Sequence, residues 1–190
     1  LIPIMISLIL GQLFSHKKPN NKTIFAKEGL IIVALTWIVL SFVSCLPLCL
    51  SGEIPSFTDA YFETVSGFTT TGSTIVNDIE ALSHSMLFLR SFTHWIGGMG
   101  ILVFALMILP TADARSLQIM KAEVPGPVVG KLVSRIRMTA RILYLIYAIM
   151  TLILVLLLCL GGMPLFDSLL NAFGTAGTGG FGIKNNSIQF

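Results

Sequence analysis

Charged residues are what this sequence has least of. Only 11% of its 190 residues are charged, whereas 54% are hydrophobic, and the mean hydropathy is +0.88. A soluble domain carries about 25% charged residues, so the composition excludes an ordinary soluble protein. Four runs contain no Asp, Glu, Lys or Arg: 1–15, 29–52, 91–112 and 142–166. The last three reach the roughly 20 residues that a membrane-spanning helix needs, and they predict an integral membrane protein.

Cysteine is also scarce. The three cysteines, Cys45, Cys49 and Cys159, all fall in these charge-free runs. Cys45 and Cys49 would share one helix face, but no histidine lies near them, and we expect no metal site there. We interpret all three as small buried hydrophobic residues, and nothing in their number or spacing predicts a disulfide framework.

Basic residues are absent from 50–89, and ten of the twelve lie in two segments, 17–27 and 115–141. Because cytoplasmic loops of membrane proteins carry the excess of Lys and Arg, we expect both basic segments in the cytoplasm and 50–89 outside. The basic segments lack interleaved aromatic residues, and we expect no nucleic acid as a partner. A multi-pass protein of the cell membrane, with the lipid bilayer as its surroundings, is predicted.

The sequence begins at Leu1, without a methionine, directly in an apolar run. A signal peptide would need a basic start and a cleavage site. We therefore interpret 1–15 as the end of a preceding transmembrane helix, and the chain as a fragment of a longer protein.

Two segments rich in threonine and glycine, 66–74 and 174–182, interrupt the apolar sequence. They lie 108 residues apart, and the same offset aligns Asp59 with Asp167, Thr70 with Thr178, and Gly72 with Gly180. A fixed offset of this kind predicts an internal repeat.

A short helical pattern precedes each of these segments. Aromatic and aliphatic residues recur at spacings of three and four, at Phe57, Tyr61, Phe62, Val65 and Phe68. The pattern predicts a helix over 58–69, with Thr58 as N-cap and Asp59 favourably placed in its first turn. About 11 residues span only about 16 Å, too little to cross a bilayer. A short helix followed by a returning loop predicts a re-entrant segment, which is tolerated where it lines a watery cavity.

The predicted fold class is thus all-α integral membrane, with repeated span–pore-helix–loop–span units and re-entrant pore loops, as in potassium channels. The first repeat covers 26–109, with a helix over 26–47 ended by Pro47, the pore helix over 58–69, a filter loop over 70–74 and a helix over 82–109. A cytoplasmic connector follows over 110–138. The second repeat, 139–190, is incomplete, with a helix over 139–161, a pore helix over 166–176 and a filter loop over 178–182.

Backbone carbonyls can replace the hydration shell of a cation without placing full negative charges in a low dielectric. Glycine permits the dihedral angles that point carbonyls at one axis. Both loops have the order threonine, small residue, glycine, variable residue, a degenerate form of the Thr-Val-Gly-Tyr-Gly filter of potassium channels. The glycines at 97–100 are expected to let another helix approach closely. Arg90 is expected either to extend to the membrane surface or to pair with an acidic residue of a pore helix.

The sequence Phe-Thr-Thr-Thr-Gly-Ser-Thr at 68–74, followed by Arg-Ser-Phe-Thr-His-Trp-Ile-Gly-Gly-Met-Gly at 90–100, resembles the first pore repeat of the TrkH/KtrB superfamily of potassium transporters. It is closer to the TrkH branch, and 166–181 resembles the second repeat. The resemblance implies a potassium uptake subunit with four repeats around one pathway, a homodimer, and a cytosolic nucleotide-binding regulatory subunit. It also implies the potassium-coordinating residues, which are Thr70, Thr71, Gly72, Ser73, Thr178, Gly179, Gly180 and Phe181.

Two other functions are compatible with some features of the sequence. Short segments interrupted by glycine also occur in secondary transporters or structural membrane proteins with broken helices. An intramembrane serine hydrolase would use Ser66 or Ser73 with His84 or His94, but the second copy has no serine at either corresponding position. We expect no enzyme and no organic cofactor. Passive transport and transport coupled to another ion remain open alternatives.

Overall fold

The computed structural model describes residues 5, 8, 11–12, 26–100 and 136–186. Within these ranges the chain forms five helices and no strand, which agrees with the predicted all-α class. They are α1 (Ala26–Leu50), α2 (Phe57–Phe68), α3 (His84–Met99), α4 (Ile136–Leu160) and α5 (Leu165–Ala176).

Two of these helices, α1 and α4, are long and apolar enough to cross a membrane, over Ile31–Leu50 and Ala140–Leu160. Most of their apolar side chains are not covered by the rest of the described chain. Met150 and Leu160 of α4, for example, are 64% and 85% exposed. A helix that is apolar on all sides is buried either in lipid or against other protein segments.

Helix α1 does not end at Pro47, and the predicted boundary was wrong. The helix continues to Leu50, and the N–H of Ser51 still donates to the carbonyl of Pro47 at 3.0 Å. Proline removes one hydrogen bond from a helix but does not always end it, above all in membrane helices. The turn comes at Gly52, whose φ of 80° fits the left-handed conformation common just past a helix end.

Helix α2 begins one residue earlier than predicted, because Ser56 and not Thr58 is its N-cap. The Ser56 hydroxyl accepts a hydrogen bond from the N–H of Asp59 at 3.4 Å. Helix α5 likewise begins at Leu165, one residue early, and its N-cap position is occupied by Pro164. The two N-cap positions lie 108 residues apart, and both helices contain 12 residues.

The bounds of α3 and α4 also differ from the prediction. Helix α3 begins at His84, capped by Ser83, and its described part ends at Met99, followed by Gly100 with a φ of 71°. The predicted extension over 101–109 and the connector up to 135 lie outside the described residues. Helix α4 begins at Ile136, three residues before the predicted start, and ends at Leu160.

Helix α3 occupies the centre of the arrangement. It packs against both short helices, α2 and α5, while α1 packs on α2 and α4 packs on α5. A buried cluster joins the start of α3 to α5, and its members are Leu82, Leu87, Leu170, Phe173 and Ile183. Cys45 is fully buried between α1 and α2, and Cys49 and Cys159 are half-buried free thiols. The packing therefore places the residues that follow α2 and α5 on either side of α3.

Candidate ion-binding loops

The chain leaves α2 and α5 in the same way. The N–H groups of the first residues after each helix turn back and donate to carbonyls of that helix. After α2, the N–H groups donate from Thr69 to Val65 (2.9 Å), from Thr70 to Gly67 (3.1 Å) and from Thr71 to Ser66 (2.9 Å). After α5, the corresponding bonds run from Gly177 to Phe173 (3.0 Å), from Thr178 to Thr175 (3.0 Å) and from Gly179 to Gly174 (3.0 Å). The backbone bonding therefore repeats at the 108-residue offset seen in the sequence.

The backbone dihedral angles repeat as well. Thr70 and Gly72 have φ values of 55° and 75°, and Thr178 and Gly180 have values of 59° and 80°, whereas the residue between each pair does not have a positive φ. A positive φ at threonine is uncommon and costs energy. Residues of alternating handedness turn successive N–H groups to one side of the chain, and the carbonyl groups consequently turn to the other.

The N–H groups of residues 70 and 71 and of residues 178 to 180 donate to carbonyls of the short helices. Among the described residues, no hydrogen bond is donated to any of the six carbonyl oxygens of 70–72 and 178–180. Thr71, Thr178 and Gly180 are exposed. Unpaired carbonyls are the groups with which a protein can replace the hydration shell of a cation.

The two loops touch each other. The α-carbon of Gly72 faces the carbonyl oxygen of Gly179 so closely that a methyl group on Gly72 would overlap that oxygen. Glycine is therefore required at position 72 for two reasons, the positive φ and the close approach of the second loop.

The carbonyls of Ser73 and Phe181, the last predicted residue of each loop, lie close to the short helices. The Ser66 hydroxyl donates to the Ser73 carbonyl at 2.6 Å, so this carbonyl turns toward α2. The Phe181 carbonyl lies beside Gly174 of α5, and the Phe181 side chain is buried, with 3% exposed. Of the eight predicted carbonyls, that of Ser73 is thus hydrogen-bonded to α2 and that of Phe181 lies beside α5.

Arg90 of α3 pairs with Glu63 of α2, which decides between the two expectations for Arg90. The guanidinium and the carboxylate lie 2.7 Å apart, and only 2% of Arg90 and 1% of Glu63 is exposed. The carboxylate also accepts hydrogen bonds from the Thr74 hydroxyl at 2.8 Å and the Ile75 N–H at 3.1 Å. Buried charges need such complete pairing. The sequence did not single out Glu63, because no spacing rule joins positions 27 residues apart.

His94 lies behind the second loop. Its ring is fully buried and packs on the Phe181 ring, with 4.0 Å between centroids, while its Nδ1 accepts a hydrogen bond from the Phe181 N–H at 3.4 Å. Side chains at Gly177 or Gly179 would overlap the backbone or the ring of His94. The predicted close approach at the 97–100 glycines is also seen, since Gly97 lies directly against the carbonyl of Phe68.

The geometry does not support serine chemistry. The Ser66 hydroxyl is occupied by the Ser73 carbonyl, and the His84 ring packs on Phe166 at 4.9 Å between centroids. Within the described ranges, neither His84 nor His94 forms a hydrogen bond with the hydroxyl group of Ser66 or Ser73, as a base would with its nucleophile. The same ranges contain no group of three or more His, Cys, Asp or Glu side chains suited to a bound metal ion.

Residues 1–190 match the family model of TrkH, which is described as a cation transport protein. The chain belongs to the TrkH family. This confirms the resemblance read from 68–74 and 90–100. The relatives are named as ion transporters rather than enzymes, which confirms the expectation that the chain is not an enzyme.

The TrkH-family chain is 42% identical to the Trk system potassium uptake protein TrkH of Salmonella typhimurium over 189 residues, which cover 97% of this chain and 39% of the relative. It is also 42% identical to TrkH of Escherichia coli K12 over 178 residues, 90% of this chain and 37% of the relative. The crystal structure of the potassium transporter TrkH from Vibrio parahaemolyticus matches with a TM-score of 0.73 and 32% identity, covering 98% of this chain and 36% of that one.

The chain thus spans less than two fifths of the length of these relatives. The helical architecture of the described residues agrees with the TrkH structure, and the family is one of membrane transporters. The chain is accordingly that of a membrane protein.

Proposed function

We propose that this chain contributes two of the ion-binding loops of a potassium uptake protein in the cell membrane. The observation that carries the proposal is the pair of loops, 70–72 and 178–180, which share one alternating backbone conformation, keep their carbonyls unpaired and touch at Gly72 and Gly179. We infer that the ion is potassium because the relatives are named as potassium uptake proteins.

In this proposal K⁺ loses hydration water and is held by backbone carbonyls of the two loops. The carbonyls are those of Thr70, Thr71, Gly72, Thr178, Gly179 and Gly180. Helices α2 and α5 end immediately before the loops, so the partially negative C-terminal end of each helix faces the ion pathway. The short helices would then act as pore helices, and neutral oxygens would favour a cation without binding it too tightly to leave.

The remaining parts of the assembly come from outside this chain. Four repeats around one pathway would place two further loops opposite the two described here. The basic segments would lie in the cytoplasm and the loops would open to the outside. A homodimer and a cytosolic nucleotide-binding regulatory subunit complete the proposal, as the family resemblance implies.

The experiment is potassium-limited growth of cells that lack their own uptake systems and carry the full-length gene. Gly72→Ala is expected to abolish or strongly weaken the rescue, since the methyl group would displace the Gly179 carbonyl. Gly162→Ala is the matched control, because Gly162 also has a positive φ, 95°, but open space around it. Equal rescue by both variants at equal protein levels would contradict the proposal.

A further inference from the structure

The side chain of Phe181 lies between two groups of α3. The guanidinium carbon of Arg90 is 4.4 Å from the centre of the Phe181 ring, and the His94 ring is 4.0 Å away, centre to centre. Arg90 and His94 are one helical turn apart, and all three side chains are buried. A cation over an aromatic face is attracted by the ring quadrupole, most strongly where water is excluded.

The same guanidinium also holds the first loop. Its Nε donates to Glu63 at 2.7 Å, and a terminal nitrogen donates to the Thr74 hydroxyl at 3.1 Å. Glu63 in turn accepts from the N–H of Ile75, just past the loop. One arginine therefore contacts the end of the first loop through hydrogen bonds and the second loop through the Phe181 ring.

The two loops differ in what holds them, although their backbones are alike. The position equivalent to Glu63 in the second repeat is Asn171, whose side chain bonds within its own helix region, to the Asp167 carbonyl at 3.0 Å and the Met163 sulfur at 3.5 Å. The second loop has no equivalent of the carboxylate that holds the first. Its contacts to α3 run through Phe181 and the glycines against His94.

We propose that Arg90, together with Glu63 and Phe181, fixes the two loops relative to each other and thereby sets the discrimination between K⁺ and Na⁺, without any of the three side chains touching the ion. The inference rests on the proposed function of the loops. The positive φ values of Thr70 and Thr178 are costly, and such a backbone persists only where its surroundings over-determine it. Arg90 supplies one restraint common to both loops.

The test uses the purified full-length protein in potassium-loaded vesicles, with Rb⁺ and Na⁺ uptake compared. Phe181→Leu keeps an apolar side chain but removes the ring. The double substitution Glu63→Gln/Arg90→Gln removes the ion pair without leaving an unpaired buried charge. Each is expected to lower the Rb⁺/Na⁺ uptake ratio by about tenfold, which corresponds to ~1.4 kcal/mol of lost discrimination.

Two controls are matched to these variants. Phe88→Leu makes the same substitution on α3, where the ring contacts Phe92 and Phe173 and not the loops. Lys184→Gln breaks a partly exposed ion pair with Asp167 at 4.0 Å. Both are expected to keep the uptake ratio of the unaltered protein.

The uptake ratio of Gly72→Ala is measured in the same experiment. It distinguishes a failure of the role of Arg90 from a failure of the proposed ion-binding function of the loops. An unchanged ratio in Phe181→Leu and in the double variant, with a lowered ratio in Gly72→Ala, would overturn the role of Arg90 and leave the loops as the ion site. An unchanged ratio in Gly72→Ala as well would overturn the proposed function. If either variant fails to fold, Arg90→Lys replaces it, since lysine keeps the charge beside Glu63 but lacks the planar group over Phe181. A normal ratio there would also overturn the inference.

Discussion

The carbonyl oxygen of Gly179 lies against the α-carbon of Gly72. The contact joins two loops that are more than a hundred residues apart in sequence and that share one backbone conformation. It makes the missing side chain at position 72 a structural requirement.

Replacing Glu63 alone is expected to be more damaging than replacing both members of the ion pair. Glu63→Gln leaves the Arg90 guanidinium buried with no counter-charge, which costs about 3–5 kcal/mol. Glu63→Gln/Arg90→Gln removes both charges and is expected to lose less. The measurement is thermal unfolding of the full-length protein in detergent, followed by size-exclusion chromatography. A double variant less stable than Glu63→Gln would contradict this reading of the pair.

Ser66→Ala is expected to destabilise the protein by about 1 kcal/mol, because it removes the hydroxyl that donates to the Ser73 carbonyl at 2.6 Å. The growth rescue should fall less than in Gly72→Ala, since the loop contact remains. Ser85→Ala, at an exposed position of α3, is the control and should leave the unfolding temperature unchanged. Equal unfolding temperatures for the two alanine variants would show that the Ser66 hydroxyl adds no stability.

One of the contacts between α3 and α4 is a hydrogen bond from the Trp95 indole N–H to the Thr151 hydroxyl, 3.1 Å long. Thr151→Val keeps the shape and removes the acceptor, and is expected to cost about 1 kcal/mol, because the half-buried indole N–H loses its hydrogen bond. Thr36→Val is the matched control, since the Thr36 hydroxyl donates only to Ile32 of its own helix. Thermal unfolding of both variants checks the difference, and an equal loss in both would be the contrary result.

The re-entrant topology is tested by cysteine labelling. In a full-length background with Cys45, Cys49 and Cys159 replaced, single cysteines at Ser56 and Asn77 should both react with a membrane-impermeant reagent added outside intact cells. These positions flank α2 and the first loop, and both are exposed in the structure. Labelling of one position only from the cytoplasmic side would mean that the segment crosses the membrane, as in a broken-helix transporter.

The backbone conformation of the two candidate loops could be predicted because it depends on residues that are neighbours in the sequence. The 108-residue offset aligned Thr70 with Thr178 and Gly72 with Gly180, and these four residues are the ones with a positive φ in the two loops. Threonine followed by a small residue and glycine marks such a backbone, since glycine adopts a positive φ cheaply. The grouping of the loops into one site followed from the repeat.

The contacts that hold the loops could not be predicted in the same way. The pairing of Arg90 with Glu63 and the packing of His94 on Phe181 join positions 27 and 87 residues apart, and these contacts depend on how α3 packs between α2 and α5. The orientation of the Ser73 carbonyl was not predicted either. It depends on a hydrogen bond from the Ser66 hydroxyl, and the second repeat has glycine at the corresponding position, so the comparison of the repeats did not indicate it.

Helix ends were predicted less well than helices. Pro47 was predicted to end the helix because proline has no N–H to donate. A membrane helix tolerates this loss, and α1 continues to Leu50. Thr58 and Ser56 are both good N-caps by residue type, and in the structure it is Ser56 that has the extended backbone of an N-cap and accepts from the Asp59 N–H.

The most direct measurement of the central claim is the position of a heavy K⁺ analogue in the full-length protein. Crystals soaked in Rb⁺ or Tl⁺ would be examined by anomalous diffraction. We expect peaks between the carbonyl oxygens of 70–72 and 178–180, close to the Gly72–Gly179 contact, and their loss or displacement in Gly72→Ala. Well-occupied peaks along a pathway that none of these carbonyls lines would contradict it.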